Sequence, residues 1–197
     1  MKKFNLSINK IIILLFLSIK PLHSAEMTDP IKVDWSFKGL TGTFDRASLQ
    51  RGFQVYKEVC SSCHSMQYLS YRNLGESGGP EFTEAEVKAI AASFEVTDGP
   101  DSQGEMFTRP GRPSDMFVSP HPNKEAAAAA NGGAYPPDMS VLVKARKGGA
   151  NYIYSVLVGY EDPPPGVTLD QGVYYNKYMI GNKIKMPNNL EDGLIEY

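Results

Sequence analysis

The apolar positions of this chain recur mostly at helical spacing, in short stretches separated by glycine and proline. Leu49, Phe53, Tyr56 and Cys60 fall at i, i+4, i+7 and i+11, one face of a helix, and Asp45 stands where its side chain can cap the first turn. A second helix is marked by Thr83 and Glu86 at capping-box spacing, by Phe82 and Val87 at staple spacing, and by a stripe of Val87, Ile90, Ala91 and Phe94. Residues 99–122 carry Pro100, Pro110, Pro113, Pro120 and Pro122, whose rings and missing N–H groups forbid regular helix and predict a long wrapped loop. Three shorter helices are predicted over 124–130, 138–147 and 151–158, each stopped by glycine: Gly132-Gly133, Gly148-Gly149 and Gly159. After Asp162 and its three prolines the chain reads as irregular, tyrosine-rich loop. No stretch alternates for long enough to predict a strand, so the expected fold class is all-α, with long Pro/Gly-rich loops.

The chain begins differently. Lys2, Lys3 and Lys10 precede a nine-residue apolar stretch, Ile11 to Ile19, broken only by Ser18, and Ser24 and Ala25 offer small residues for cleavage. Nine helical residues reach only about 13 Å, whereas a membrane span needs about 20 residues. Residues 1–25 therefore read as a secretory signal and 26–197 as the exported domain; His23 makes the cleavage site imperfect, which leaves an uncleaved tether as the competing reading. Removing 1–25 takes away four lysines and no acid, so the exported chain has 16 basic and 22 acidic residues, a net charge of −6 instead of −2. An acidic protein of this kind is a poor partner for nucleic acid or anionic lipid. With 42% hydrophobic and 21% charged residues the chain fits a folded globular protein, and no later apolar run approaches membrane-spanning length.

The chain has two cysteines, spaced as Cys60-Ser61-Ser62-Cys63-His64. Two thiols separated by two residues, with histidine directly after the second, are what a c-type haem requires: each thiol adds to a vinyl group and the imidazole reaches the iron. A thioredoxin-like redox pair is the main competitor, but such a motif should open a helix after a strand, and this one follows an amphipathic helix. Four-ligand zinc falls short of donors, because His121 is the only other histidine beyond the signal. A sixth iron ligand would come from His121 or from Met27, Met66, Met106, Met116, Met139, Met179 or Met186. Met66 is too close to His64 to reach round a porphyrin, and Met27 lies at the new N-terminus. Met186 is favoured, because Pro187 holds it extended and lets a loop present its sulfur. Most methionines merely fill cores, and His121, between two prolines, reads as an exposed loop residue.

Seven segments together resemble one family: Trp35-Ser-Phe-Lys-Gly39, Gly42-Thr-Phe-Asp-Arg46, Leu49-Gln-Arg-Gly-Phe-Gln-Val-Tyr-Lys-Glu-Val-Cys60, Ser70-Tyr-Arg-Asn-Leu74, Asp98-Gly-Pro-Asp101, Gly133-Ala-Tyr-Pro-Pro-Asp-Met-Ser140 and Asp162-Pro-Pro-Pro-Gly-Val167. They are similar to cytochrome c1, the haem subunit of the cytochrome bc1 complex, over about residue 33 to Tyr197. The resemblance implies class I cytochrome c-like helices around one haem c, covalent through Cys60 and Cys63, with His64 and Met186 as iron ligands, the latter in Ile184-Lys-Met-Pro187. It further implies haem contacts from Asn131 and Pro136, a propionate partner in Arg146, and pocket walls from Tyr152 and Val156. Without it, Arg146 reads as a surface cation on a last helical turn and Tyr152 as core.

The implied function is respiratory electron transfer, from a Rieske iron–sulfur protein to a soluble cytochrome c, beside cytochrome b on the periplasmic face of a bacterial inner membrane. The chain is then an electron-transfer subunit of an oxidoreductase complex and not an enzyme on its own. Eight acids between Glu76 and Glu105, against Lys88 alone, form either a solvated face or a docking surface for a cationic cytochrome c. Members of such a family continue past Asp192-Gly-Leu-Ile-Glu-Tyr197 with a helix near the haem and a membrane-spanning helix, neither within these 197 residues. The expectation is therefore a truncated chain or one held by partner subunits, less stable than full-length relatives. A freely diffusing haem carrier and a thiol-disulfide oxidoreductase are the alternative readings.

Overall fold

The computed structural model describes residues 28–196; the expected export signal at 1–25 and the candidate ligand Met27 lie outside the described residues. The first helix, α1, runs Arg46–Glu58, and the Asp45 carboxylate accepts from the Ser48 N–H at 2.7 Å, as the sequence predicts. A 3₁₀ turn, Cys60–Ser62, follows, and a second, Tyr71–Gly75, precedes helix α2, Glu84–Ala92. The Thr83 and Glu86 capping box is formed, Glu86 Oε2 accepting from the Thr83 N–H at 2.7 Å. Tyr56, Tyr71, Leu74, Val87, Ala91 and Phe117 make the main core between these elements, with Tyr71 and Phe117 stacked at 4.7 Å and Phe53 and Tyr56 edge-on to Phe117. Cys60, Met66 and Met139 border this core, so its packing sets the floor of the cysteine motif.

The all-α expectation needs correction. Strand β1, Glu95–Asp98, pairs antiparallel with β2, Phe107–Pro110, with Glu95 opposite Pro110 and Asp98 opposite Phe107. Four residues are too few to show an alternation, and a proline at the end of β2 masks it further; what forms the ladder is its turn and its clamp. The Asp101 Oδ1 accepts from the Gln103 and Glu105 N–H groups, both at 2.9 Å, which closes the turn. Arg109 on β2 bonds Asp98 on β1 and grips Asp115 through both ends of its guanidinium, at 2.6 and 3.0 Å. Residues 111–117 then run beside 69–72, Phe117 N–H donating to the Leu69 carbonyl at 2.9 Å.

Helix α3, Lys124–Ala130, has its predicted bounds. The helix predicted over 138–147 shrinks to α4, Leu142–Ala145, because Asp138 is bonded to residues far away in sequence and Arg146 is extended. Helix α5, Gly149–Val158, begins two residues early. The predicted C-terminal loop holds a second small ladder, β3 (Tyr174–Tyr175) with β4 (Lys183–Ile184). Helix α5 joins the ends of the chain. On one side the Ile31 N–H donates to Ser155 Oγ at 2.8 Å and the Trp35 indole to Asn151 Oδ1 at 2.7 Å. On the other, the fully buried Asn176 donates to the Val156 carbonyl at 2.7 Å. No described helix is long and apolar enough to cross a membrane.

Candidate functional site

The cysteines are placed by the end of α1. The Cys60 carbonyl accepts from both the Cys63 N–H at 3.1 Å and the His64 N–H at 2.8 Å, a tight turn that puts the two half-buried thiols and the imidazole on adjoining positions. Neither thiol is in a disulfide, and burial pushes the Cys60 thiol above its ordinary value, with the neighbouring Cys63 adding to the rise. A redox dithiol opens a long helix after a strand, whereas this pair follows the end of α1, a position that does not match that arrangement.

His64 is fixed through one nitrogen. Its Nδ1 lies 2.8 Å from the Pro137 carbonyl, which can only accept, so Nδ1 donates and, in the neutral ring, Nε2 is the nitrogen with a lone pair for a metal. The Pro137 carbonyl is held in place by a zipper between 64–68 and 137–140. Asp138 Oδ2 accepts from Ser65 Oγ at 2.7 Å and from the Gln67 N–H at 2.9 Å, its Oδ1 accepts from the Ser140 N–H at 2.9 Å, and the Met139 N–H donates to the Ser65 carbonyl at 2.8 Å. Burial raises the Asp138 carboxyl, but the hydrogen bonds it accepts outweigh that and leave it below its ordinary value.

Met186 comes from the opposite end of the chain. It is half-buried, and three tethers hold its segment: the β3–β4 ladder just before it, the Lys185 ammonium on the Gly132 carbonyl at 2.7 Å, and the Tyr160 hydroxyl on the Met186 carbonyl itself at 2.9 Å. Among the competing sulfurs, Met116 Sδ accepts from Ser70 Oγ at 3.4 Å, Met179 Sδ from the Tyr152 hydroxyl at 3.3 Å, and Met66 and Met139 pack against the core. His121 is not the exposed residue its flanking prolines suggest: it is half-buried, and its Nε2 is buried without a hydrogen-bond partner among the described residues.

A family model, the Cytochrome C1 family, matches residues 35–197. The chain belongs to the cytochrome c1 family. Relatives include the mitochondrial cytochrome c1-2 heme protein of Solanum tuberosum, 53% identical over 83% of this chain and 62% of its own length. The cytochrome c1 of Rhodospirillum rubrum is 50% identical over 84% of this chain and 66% of its own. The cytochrome b-c1 complex catalytic subunit of Candida albicans is 48% identical over 85% and 58%. The chain thus spans about three fifths of the length of these relatives.

The contacts expected from the cytochrome c1 resemblance fall into three groups. Pro136 directly precedes the residue that bonds His64, and Asn131 caps α3 with its amide on the Ala127 carbonyl at 2.8 Å, next to the Gly132 that Lys185 reaches. Tyr152 and Val156 lie one turn apart on α5; the Tyr152 hydroxyl donates to Met179 Sδ and the Val156 carbonyl accepts from Asn176, both in the segment that leads to Met186. Arg146 stands apart: it is exposed beyond α4, with Nη1 on its neighbour's carbonyl at 3.4 Å. Asp138, Tyr160 and Asn176 carry no signal of their own in the sequence. Asp138 reads there as a helix start, Tyr160 only follows a helix stop, and Asn176 lies in the stretch after Asp162 that reads as loop.

Proposed function

We propose that this chain carries one covalent haem c and moves single electrons within a cytochrome bc1 complex, from a Rieske iron–sulfur protein to a soluble cytochrome c, beside cytochrome b at the periplasmic face of a bacterial inner membrane, exported by residues 1–25. The observation that carries this reading is His64, whose Nδ1 is committed to the Pro137 carbonyl and whose Nε2 is left for iron, directly after two free, half-buried thiols. The names of the relatives, a heme protein in Solanum and a b-c1 complex subunit in Candida, support it.

The residues present suit the group. Cys60 and Cys63 would hold its edge through thioethers, and His64 and Met186 would be the axial donors. Asn131, Pro136, Tyr152 and Val156 would wall the pocket, with Arg146 toward a propionate. When bound, the haem would supply a reversible one-electron change at iron, and a thioether among its donors would favour the reduced form. What the polypeptide supplies is orientation. Pro137 fixes the imidazole tautomer, the Asp138 zipper fixes Pro137, and the β3–β4 ladder delivers Met186. No bond in a substrate is made or broken by these residues.

The alkaline pyridine spectrum of the exported protein, which distinguishes haem held by two thioethers from haem held by one or none, tests this reading; two thioethers are expected. In Met186→Leu the deep-red methionine–iron charge-transfer band should vanish. A band that survives assigns the sixth position to another donor.

A further inference from the structure

We propose that Tyr160 is a positioning residue for the axial sulfur, its hydroxyl bond to the Met186 carbonyl acting as a latch that sets how often the methionine leaves the iron. The inference rests on Met186 being the sixth ligand. Tyr160 is fixed before it reaches Met186. Gly159, just ahead of it, is buried where a Cβ would lie 2.4 Å from the Tyr178 ring, and Tyr160 itself bridges antiparallel to Asn176, whose side chain is anchored on α5. The phenol therefore projects from a rigid joint between α5 and the 174–186 segment. Its hydroxyl meets a main-chain oxygen that a side-chain substitution at 186 leaves in place.

The second tether of the segment, Lys185 on the Gly132 carbonyl, is made by an exposed, flexible ammonium, and the β3–β4 ladder spans only two residue pairs. The Tyr160 bond is the only one of the three made by the ligand residue itself. Where Met186 leaves the iron by a swing of its loop, its carbonyl moves with the loop and this bond breaks. A half-buried hydroxyl–carbonyl bond contributes modestly in net terms, enough to shift an open–closed equilibrium by about 2- to 12-fold.

An external ligand reads that equilibrium directly. Imidazole can bind ferric iron only when the sulfur is off, so its apparent dissociation constant scales inversely with the open fraction. In the full, haem-loaded chain, Tyr160→Phe is expected to tighten imidazole binding by about 2- to 12-fold and to weaken the charge-transfer band. Tyr175→Phe, which removes a hydroxyl from β3 without touching the Met186 carbonyl, should match the parent. The decisive measurement repeats Tyr160→Phe in a Met186→Leu background, where the sulfur no longer competes; there imidazole affinity should not change. Equal tightening in both backgrounds would mean general loosening of the pocket and would overturn the latch, as would an unchanged affinity in Tyr160→Phe alone. Retention of the band and of the parent's imidazole affinity by Met186→Leu would instead remove the ligand assignment beneath it.

Discussion

At the scale of single residues, the chemistry of this chain is set by what each donor atom is denied. In the proposed site His64 has one nitrogen spent on Pro137 and one left over, and the Pro137 carbonyl is held because Asp138 is satisfied by three donors at once. Both carboxylate oxygens of Asp138 accept, so Asp138→Asn would turn an amide N–H₂ toward groups that themselves donate. A loss of about 1–3 kcal/mol is expected at neutral pH, measurable by urea unfolding. The pH dependence has a definite sign. The folded carboxyl lies below its ordinary value of 3.8, so its contribution is complete above about pH 5 and is lost as the pH falls through the lowered folded value. In Asp138→Asn this part of the acid limb should disappear, while stability above pH 5 stays flat and lower. An acid limb unchanged by the substitution would show that Asp138 contributes nothing specific. The cysteine–histidine motif was legible because its meaning lies in five consecutive residues; the partners of His64 were not, because they sit 73 residues away.

At the scale of elements, the proposed site depends on one close approach, where α5 meets the segment bearing Met186. A Cβ on Gly159 would come within 2.4 Å of the Tyr178 ring and 2.6 Å of the Ser155 carbonyl, and Tyr178 is buried. Gly159→Ala must therefore push the two elements apart, at an expected cost of about 1–3 kcal/mol. Because the displaced element carries Met186, the charge-transfer band should weaken along with the melting temperature. A variant that melts early with the band intact would separate this joint from the ligand loop. In the sequence Gly159 is only a helix stop, which is half of what it does. Helix starts were readable at Asp45 and Thr83 because a cap acts across three residues. The two ladders were not, since β1–β2 is held by Arg109 reaching Asp98 and Asp115, and a four-residue strand with its proline has no alternation to show.

At the scale of the whole molecule, the surface charge makes a claim about encounter. Five of the eight acids from Glu76 to Glu105 have local work: Glu84 pairs with Lys88 at 2.6 Å, Glu86 caps α2, Asp98 holds Arg109, Asp101 closes the β1–β2 turn and Glu81 faces Arg46 at 3.6 Å. Such exposed pairs contribute little to stability, and with Lys88 inside the stretch and Arg46 and Arg109 reaching it from outside, the eight acids still outnumber the three cations, so the field of the stretch remains negative at a distance. That field reaches about 30 Å at 10 mM salt and about 6 Å at 300 mM. If a cationic cytochrome c is drawn in by it, the bimolecular rate of electron transfer should fall steeply over that range, with little change in the first-order step at saturation. Glu95→Lys with Glu105→Lys, two exposed positions that hold no ion pair among the described residues, should lower the low-salt rate and flatten the salt dependence. Glu86 is the wrong position for this test, because its loss would unravel the cap of α2 and mix folding with encounter. A rate indifferent to salt in the parent, or unchanged by the double reversal, would leave these acids as a solvated face that happens to be crowded, and the docking surface would have to be sought elsewhere on the chain.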